Sequence, residues 1–349
     1  MARILLTGAS GFIGSWLATE LSREGHQLDL LLRKPGQLSQ VQAFCEQHCG
    51  ELGALHALPG DLSQAWFGWG QWPQQKQWDV IIHCGALFGW GLNYELAWQT
   101  NVQGSVRIVE LAAQQHAQLF WLGGFMLHNQ QHLQELNIQR CLQENNFKPL
   151  YRKVGVYEAS KIEAHYRSVE TAEKLGVAYN VLHPATLIGH SQLGELHQGQ
   201  SIYQLGLQLK QQKLTAIPGS PRHVLPMVEI DVLVAVMRSL VREPLASGSQ
   251  LVAVNDAGLN LAGCIKLLAE GMSVAAPQKF IPIWLLKRIL QIPGVAALLG
   301  SDKESLAFIR PERPQFAPLQ TFCKQRAIHL PDLTQSLRYL GAYIGRQTV

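Results

Sequence analysis

The stretch Thr7-Gly8-Ala9-Ser10-Gly11-Phe12-Ile13-Gly14 constrains this chain more than any other part of it. It follows a short apolar run, Arg3–Leu6, and opens into an amphipathic segment, Ser15–Glu24, with a second apolar run at Gln27–Leu32. A glycine loop between a strand and a helix suits a pyrophosphate. Gly8 permits the tight turn, Gly11 lets backbone N–H groups approach the phosphates, and Gly14 lets the helix pack on the strand. Thr7, Ser10, Phe12 and Ile13 complete the cradle. Because strand, loop, helix and second strand fall within about thirty residues, the motif predicts a bound dinucleotide.

Further candidate strands are His56–Leu58, Val80–His83, Leu119–Leu122 and Ala178–His183, separated by segments of helical length such as Tyr94–Gln115 and Val156–Leu175. Short apolar runs alternating with amphipathic segments predict an α/β chain, a Rossmann-type doubly wound parallel sheet. After Pro184 the pattern loosens, and Val228–Arg242 and Gln250–Val254 add one helix and one strand. The expectation is a nucleotide-binding domain over residues 1–183, completed by 228–260, and a smaller, mainly helical substrate-binding cap from 184–227 and 261–349.

Hydrophobic residues make up 47% of the chain and charged residues only 15%, which excludes a disordered scaffold or a charged coiled coil. A net charge of +4 without a basic run gives no support for a nucleic-acid partner. The six cysteines form no CxxC pair and no zinc spacing, so they read as reduced thiols of a cytoplasmic protein, and no metal is expected. The strand pattern begins at once, leaving no signal peptide, and no apolar run reaches the roughly 18 residues of a membrane span.

Past the second strand stand Arg33 and Lys34, where an NAD enzyme would place an acid on the ribose 2′-hydroxyl. Two cations suit a 2′-phosphate, hence NADPH; Asp29, inside the strand, is poorly placed for that acid. Asp61, before Leu62, reads either as an acceptor for the adenine amino group or as the cap of a following helix. Tyr157 and Lys161 stand four apart in a helical segment, so both point to one side. A phenol with a pKa of about 10 is a poor acid at neutral pH, and a nearby ammonium plus cofactor charge would lower it. Such a tyrosine can give a proton to a carbonyl oxygen as hydride arrives from a nicotinamide.

With these motifs in view, the chain resembles an extended short-chain dehydrogenase/reductase of the NAD-dependent epimerase/dehydratase superfamily over essentially its whole length. His83-Cys84-Gly85-Ala86 is similar to the family's HxxA element, and Asn101-Val102-Gln103-Gly104-Ser105 to its NVxGT element. Within the family it looks most like thioester reductase-like and fatty acyl reductase (male sterility) proteins, whose later motifs are echoed by the runs Trp90–Ser105, His183–Gly194 and Met227–Val234. The resemblance implies Tyr157 as proton donor, Lys161 as ribose clamp, and Asn101 near an active-site water and the lysine. It also implies His83, Gly85, Ala86, His183 and Pro184 beside the cofactor.

One departure bears on catalysis. In that family the fifth strand ends in Ser-Ser or Ser-Thr, whose hydroxyl bonds the substrate carbonyl; here Leu122 is followed by Gly123-Gly124. Losing such a donor costs roughly 10² to 10³ in rate, and the backbone N–H groups of the two glycines are the candidate replacement. Ser160 reads as structural, and His183, in place of the usual arginine, as a packed strand-end histidine.

Phe88, Gly123, Gly124, Phe125 and Met126 are the candidate substrate residues, because ligands of α/β sheets bind at the carboxyl ends of strands. Trp90 adds aromatic surface; Trp66, Phe67, Trp69 and Trp72 either do the same or pack a loop on the sheet. The segment Phe280–Leu299 reads as cap packing, with an apolar lid or a weak membrane-surface contact as alternatives. Together these readings predict an NADPH-dependent reductase acting on a carbonyl or acyl thioester of a hydrophobic substrate, any thioester arriving on a separate carrier or coenzyme A. The alternatives are a non-catalytic NADPH-binding protein, motivated by Gly123-Gly124, and a nucleotide-sugar epimerase or dehydratase. Both a homodimer and a monomer are compatible with this reading.

Overall fold

The computed structural model describes residues 1–49, 53–290, 306, 309, 311 and 319–347. In chain order, β1 (Arg3–Thr7), α1 (Phe12–Arg23), β2 (Gln27–Leu32), α2 (Gln37–Cys49), β3 (Leu55–Pro59) and β4 (Val80–His83) are followed by α3 (Tyr94–Ala97), α4 (Gly104–Gln115) and β5 (Gln118–Leu122). Three short helices, α5 (Gln130–Glu135), α6 (Ile138–Gln143) and α7 (Lys148–Val154), precede the long α8 (Val156–Leu175) and β6 (Tyr179–Pro184).

These strands lie in the order β6-β5-β4-β1-β2-β3, with β10 (Ser249–Ala253) outside β6. Every pair from β3 to β6 is parallel. A parallel pair needs a crossover, and helices on both faces demand strands apolar on both sides. Ile4, Leu5 and Leu6 meet that demand, each fully buried. The strand order reverses between β1 and β4, which opens a crevice at the strands' carboxyl ends. Register brings those ends level: Thr7 pairs with His83, and His83 with Trp121.

Asp29 is buried within β2, where its carboxylate accepts from the Trp78 indole at 2.7 Å and from the Arg3 guanidinium at 2.9 Å. It is thus a satisfied core acid. Phe67, Trp69, Trp72 and Trp78 form one aromatic cluster on the sheet, with Phe67 edge-on to Trp69 and Trp69 stacked on Trp78, and the Trp69 indole donates to the Pro59 carbonyl at 2.6 Å. Of the two readings of that tryptophan-rich loop, the packing one holds for these rings, while Trp66 stays exposed. The α5–α7 segment closes over α8 through Leu133, Ile138, Phe147 and Leu150 against Ala159 and Ile162.

The chain divides into two compact units: Met1–His183 with Val234–Leu251, and Pro184–Leu233 with Val252–Val349. The second holds β7 (Thr186–Ile188), α9 (Ser201–Lys210), β8 (Ile217–Pro218), β9 (Met227–Glu229) and the start of α10 (Ile230–Arg242). It continues through α11 (Leu261–Met272), β11 (Phe280–Ile281), α12 (Ile283–Ile289), α13 (Leu319–Gln325) and α14 (Leu333–Arg346). Helices α11 and α14 touch at backbone distance: a Cβ on Gly271 would lie 2.1 Å from the Arg338 carbonyl oxygen. The two C-terminal sequence motifs meet within this unit, where Asp231 accepts from the Ser191 N–H and hydroxyl at 2.9 and 2.7 Å.

Of Phe280–Leu299, residues 291–299 lie outside the described residues. The part that is described departs from core packing, since α12 buries none of its residues and Trp284 is 61% exposed. Among the described residues no helix is long and apolar enough to cross a membrane.

Candidate active site

The glycine loop leaves β1 at the crevice. Gly8 adopts φ +73°, which a side chain would strain, and a Cβ on Gly14 would lie 2.1 Å from the Gly8 carbonyl oxygen. Gly11 begins α1 without a side-chain cap, so the first turn's N–H groups are left for an external acceptor. Phe12 and Ile13, in that turn, are half-buried, while Ser10 and Gly11 are exposed.

The chain brings Arg33 and Lys34 to this loop through a residue the sequence reading missed. Gln37 accepts from the Lys34 N–H at 3.0 Å and donates to the Ser10 hydroxyl at 2.9 Å. Both cations are exposed there. Asp61 folds back locally, accepting from the Ser63 N–H and hydroxyl at 2.9 and 2.8 Å. This is a local turn and not a helix cap, since the next helical turn, Ala65–Gly68, has Gln64 at its N-cap without a side-chain bond; beside Asp61, Leu62 is buried against Gly85 and Gly104.

A chain of hydrogen bonds ties the ends of β1 and β4 to α4. Thr7 Oγ1 accepts from the Gly85 N–H at 3.0 Å and donates to His83 Nδ1 at 2.7 Å. His83 Nε2 donates to Ser105 Oγ at 2.9 Å, and Ser105 donates to the Asn101 carbonyl at 2.6 Å. Burial, aided by the Lys161 charge, pushes His83 down to about 3, so the ring stays neutral; because Ser105 gives its proton to the Asn101 carbonyl, Nε2 must be the ring's donor. Ala86, just beyond, is exposed.

Asn101 sits in a π-helical turn, Trp98–Gln103, a rare local widening that recurs at functional sites. Its side chain clamps the Leu87 backbone, accepting from the N–H at 2.7 Å and donating to the carbonyl at 3.1 Å. It also donates to Ser160 Oγ at 3.0 Å, and Ser160 donates to the Tyr157 carbonyl at 2.9 Å. Asn101 therefore fastens the loop after β4 to α8. That loop carries Phe88 and Trp90, whose rings stand edge-on to Tyr157 with centroids 5.0 and 6.1 Å away. Phe88 keeps 46% of its surface exposed.

Lys161, one turn along α8 from Tyr157, reaches the end of β5 and donates to the Leu122 carbonyl at 2.8 Å. Burial pulls its ammonium down to about 8. Tyr157 moves the other way: burial, with the Glu158 charge, pushes its phenol up to about 12. The expectation from the sequence was a lowering by the lysine together with the charge of a bound cofactor. In the structure the lysine is committed to Leu122, and the tyrosine is a neutral phenol throughout the physiological range.

Gly123 and Gly124 do not leave the expected free donors. The Gly123 N–H bonds the Leu182 carbonyl at 3.0 Å as a sheet partner, and the Gly124 N–H meets His183 Nδ1 at 3.2 Å. Nor do they leave open space, because a Cβ on Gly123 would lie 2.3 Å from His183 Nδ1, and one on Gly124 2.3 Å from Met126 Sδ. Met126 is buried in the cluster beneath α8, Phe125 is half-buried, and Pro184 begins the second unit.

Residues 6–237 match the family described as male sterility protein, and the chain belongs to that NAD-binding family. Among curated proteins it is 26% identical over 219 residues to the aldehyde reductase lnaA of Aspergillus flavus, covering 55% of this chain and 20% of that protein. It is 32% identical over 124 residues to the non-canonical nonribosomal peptide synthetase hkm10 of Aspergillus hancockii, covering 32% of this chain and 12% of that protein. The chain thus spans a fifth or less of the length of these relatives. Among solved structures, the terminal R domain of the myxalamid PKS-NRPS pathway superposes with a TM-score of 0.72 at 19% identity, over 99% of this chain and 91% of that one. A UDP-galactose 4-epimerase superposes with a TM-score of 0.61 at 13% identity, over 98% of each chain. At these identities the two superpositions speak to the fold.

The buried neutral histidines generate a pH prediction. His165, on α8, is pushed down to about 4 by burial and by the Lys161 and His128 charges, and His83 to about 3, from an ordinary 6.5. Below pH 6.5 the unfolded chain binds protons the folded chain refuses, so stability is greatest above that pH. It should fall by about 1.4 kcal/mol per pH unit for each histidine until its folded pKa is reached. Urea midpoints between pH 7 and pH 4.5 measure this. His165→Phe should flatten the slope by one histidine's share; an unchanged slope counts against a neutral His165.

Proposed function

We propose that the chain is an NADPH-dependent reductase that delivers hydride to the carbonyl carbon of an aldehyde or acyl thioester on a hydrophobic substrate. The observation that carries this reading is Tyr157, a neutral phenol against the loop after β4 and one turn from half-buried Lys161, which reaches the end of β5. The names of the curated relatives, an aldehyde reductase and a peptide synthetase, support a reductive role on a small molecule. The uncapped start of α1 and the close Gly8–Gly14 approach fit a pyrophosphate. Exposed Arg33 and Lys34, joined to Ser10 through Gln37, fit a 2′-phosphate.

NADPH, when bound, supplies the hydride. The chain's own part is to hold and protonate. Lys161 clamps the nicotinamide ribose, and Tyr157 gives its proton to the carbonyl oxygen as negative charge develops there. Phe88, Trp90 and Phe125 offer apolar surface to the substrate, and the second unit is assigned the role of a substrate-binding cap. With the Gly123 and Gly124 N–H groups engaged, Tyr157 is the protic group assigned to the carbonyl among the described residues. A single donor suits electrophilic carbonyls such as aldehydes and thioesters.

Tyr157→Phe removes the proton and leaves the ring, so NADPH oxidation with a medium-chain aldehyde or acyl thioester should fall by about 10² to 10⁴ while NADPH affinity changes little. The donor-poor end of β5 favours a second reading, a non-catalytic NADPH-binding protein. Tight NADPH binding with no turnover that depends on Tyr157, across aldehydes, ketones and thioesters, would select it.

Arg33→Ala should weaken NADPH binding by about tenfold, the worth of one exposed charge-assisted contact, and leave NADH unchanged. Fluorescence titration of both cofactors measures this. An unaltered NADPH/NADH ratio would remove Arg33 from 2′-phosphate recognition.

A further inference from the structure

Gly123 and His183 occupy one space. A Cβ at position 123 would stand 2.3 Å from His183 Nδ1 and 2.5 Å from its Cε1, closer than any real carbon contact. A side chain at 123 and an imidazole at 183 therefore exclude one another. The ring fills that space completely, with no exposed surface.

The imidazole is also fully engaged. Nδ1 lies 3.2 Å from both the N–H and the carbonyl oxygen of Gly124, and with Nε2 donating to Gln250 Oε1 at 3.0 Å the neutral ring leaves Nδ1 as acceptor for the N–H. Burial and the neighbouring His165 and His128 rings, 5.4 and 4.5 Å away, keep His183 well below its ordinary pKa, so the ring stays neutral and keeps one acceptor nitrogen. Two residues earlier, the Leu122 carbonyl accepts from Lys161 at 2.8 Å. The end of β5 is thus gripped at Gly124 from β6 and at Leu122 from α8.

We infer that His183 is a positioning residue: it holds the Leu122–Gly124 backbone in the place where Lys161 finds its acceptor, and Gly123 is the room its ring requires. A histidine that merely filled a hole would tolerate any side chain of similar volume. A positioning histidine needs an acceptor facing Gly124. The inference rests on the reading of Lys161 as a cofactor clamp, so its test separates packing from cofactor binding.

Four variants decide it: Gly123→Ser, His183→Ala, the two combined, and His183→Gln, whose amide oxygen can still accept from Gly124. Gly123→Ser alone should lower the melting temperature by several degrees, and adding His183→Ala should raise it again. In fluorescence titrations His183→Ala should weaken NADPH binding about tenfold, the size of one lost hydrogen bond, and His183→Gln should stay within about threefold of wild type. A double variant that melts no higher than Gly123→Ser overturns the exclusion. NADPH affinity unchanged in His183→Ala, or His183→Gln binding as weakly as His183→Ala, overturns the positioning role. A wild-type protein that does not bind NADPH overturns the cofactor reading and the positioning role together, while the melting cycle still rules on the 123–183 pair.

Discussion

The bond from Lys161 to the Leu122 carbonyl is the interaction around which the site is arranged. An ammonium taken partly out of water is costly unless an acceptor receives it, and here a backbone oxygen at a strand end does so. Desolvation pulls the lysine's pKa down to about 8. The same charge helps to keep His83 and His165 neutral, so the surroundings of Lys161 are donors and acceptors of fixed direction. Neutral His83 then orders the run from Thr7 to Ser105, which ties the glycine loop to the helix that carries Asn101.

Much of this was legible because it is written in local chemistry. The strand, glycine loop and helix at the start are dictated by backbone geometry, and each expected strand of the first half is present within a residue or two at either end. Tyr157 and Lys161 could be paired because a helix puts residues four apart on one side. Other features depend on tertiary partners. Nothing local says that Gln37 will bridge Lys34 to Ser10, that Asn101 will hold Leu87, or that Lys161 will turn to Leu122 and leave the tyrosine's pKa high.

The glycine pair shows the limit most clearly. From the sequence it reads as a loss, a strand end without its hydroxyl. In the structure it is half of an exchange, because His183 and Met126 fill the space that two side chains would have taken. The partner at 183 lies sixty residues away, and its ring direction follows from the parallel pairing of β5 with β6. The tryptophan-rich loop teaches the reverse: an aromatic concentration that could line a pocket is used to close the core.

The central claim is hydride transfer at Tyr157, and isotope transfer reads it most directly. Wild-type protein would be incubated with NADPH carrying deuterium at the transferable position and a medium-chain aldehyde, and the alcohol examined by mass spectrometry. The account predicts one deuterium on the carbinol carbon, in an amount matching the cofactor oxidised. Cofactor bound tightly but left unoxidised, or alcohol formed without deuterium, would contradict it.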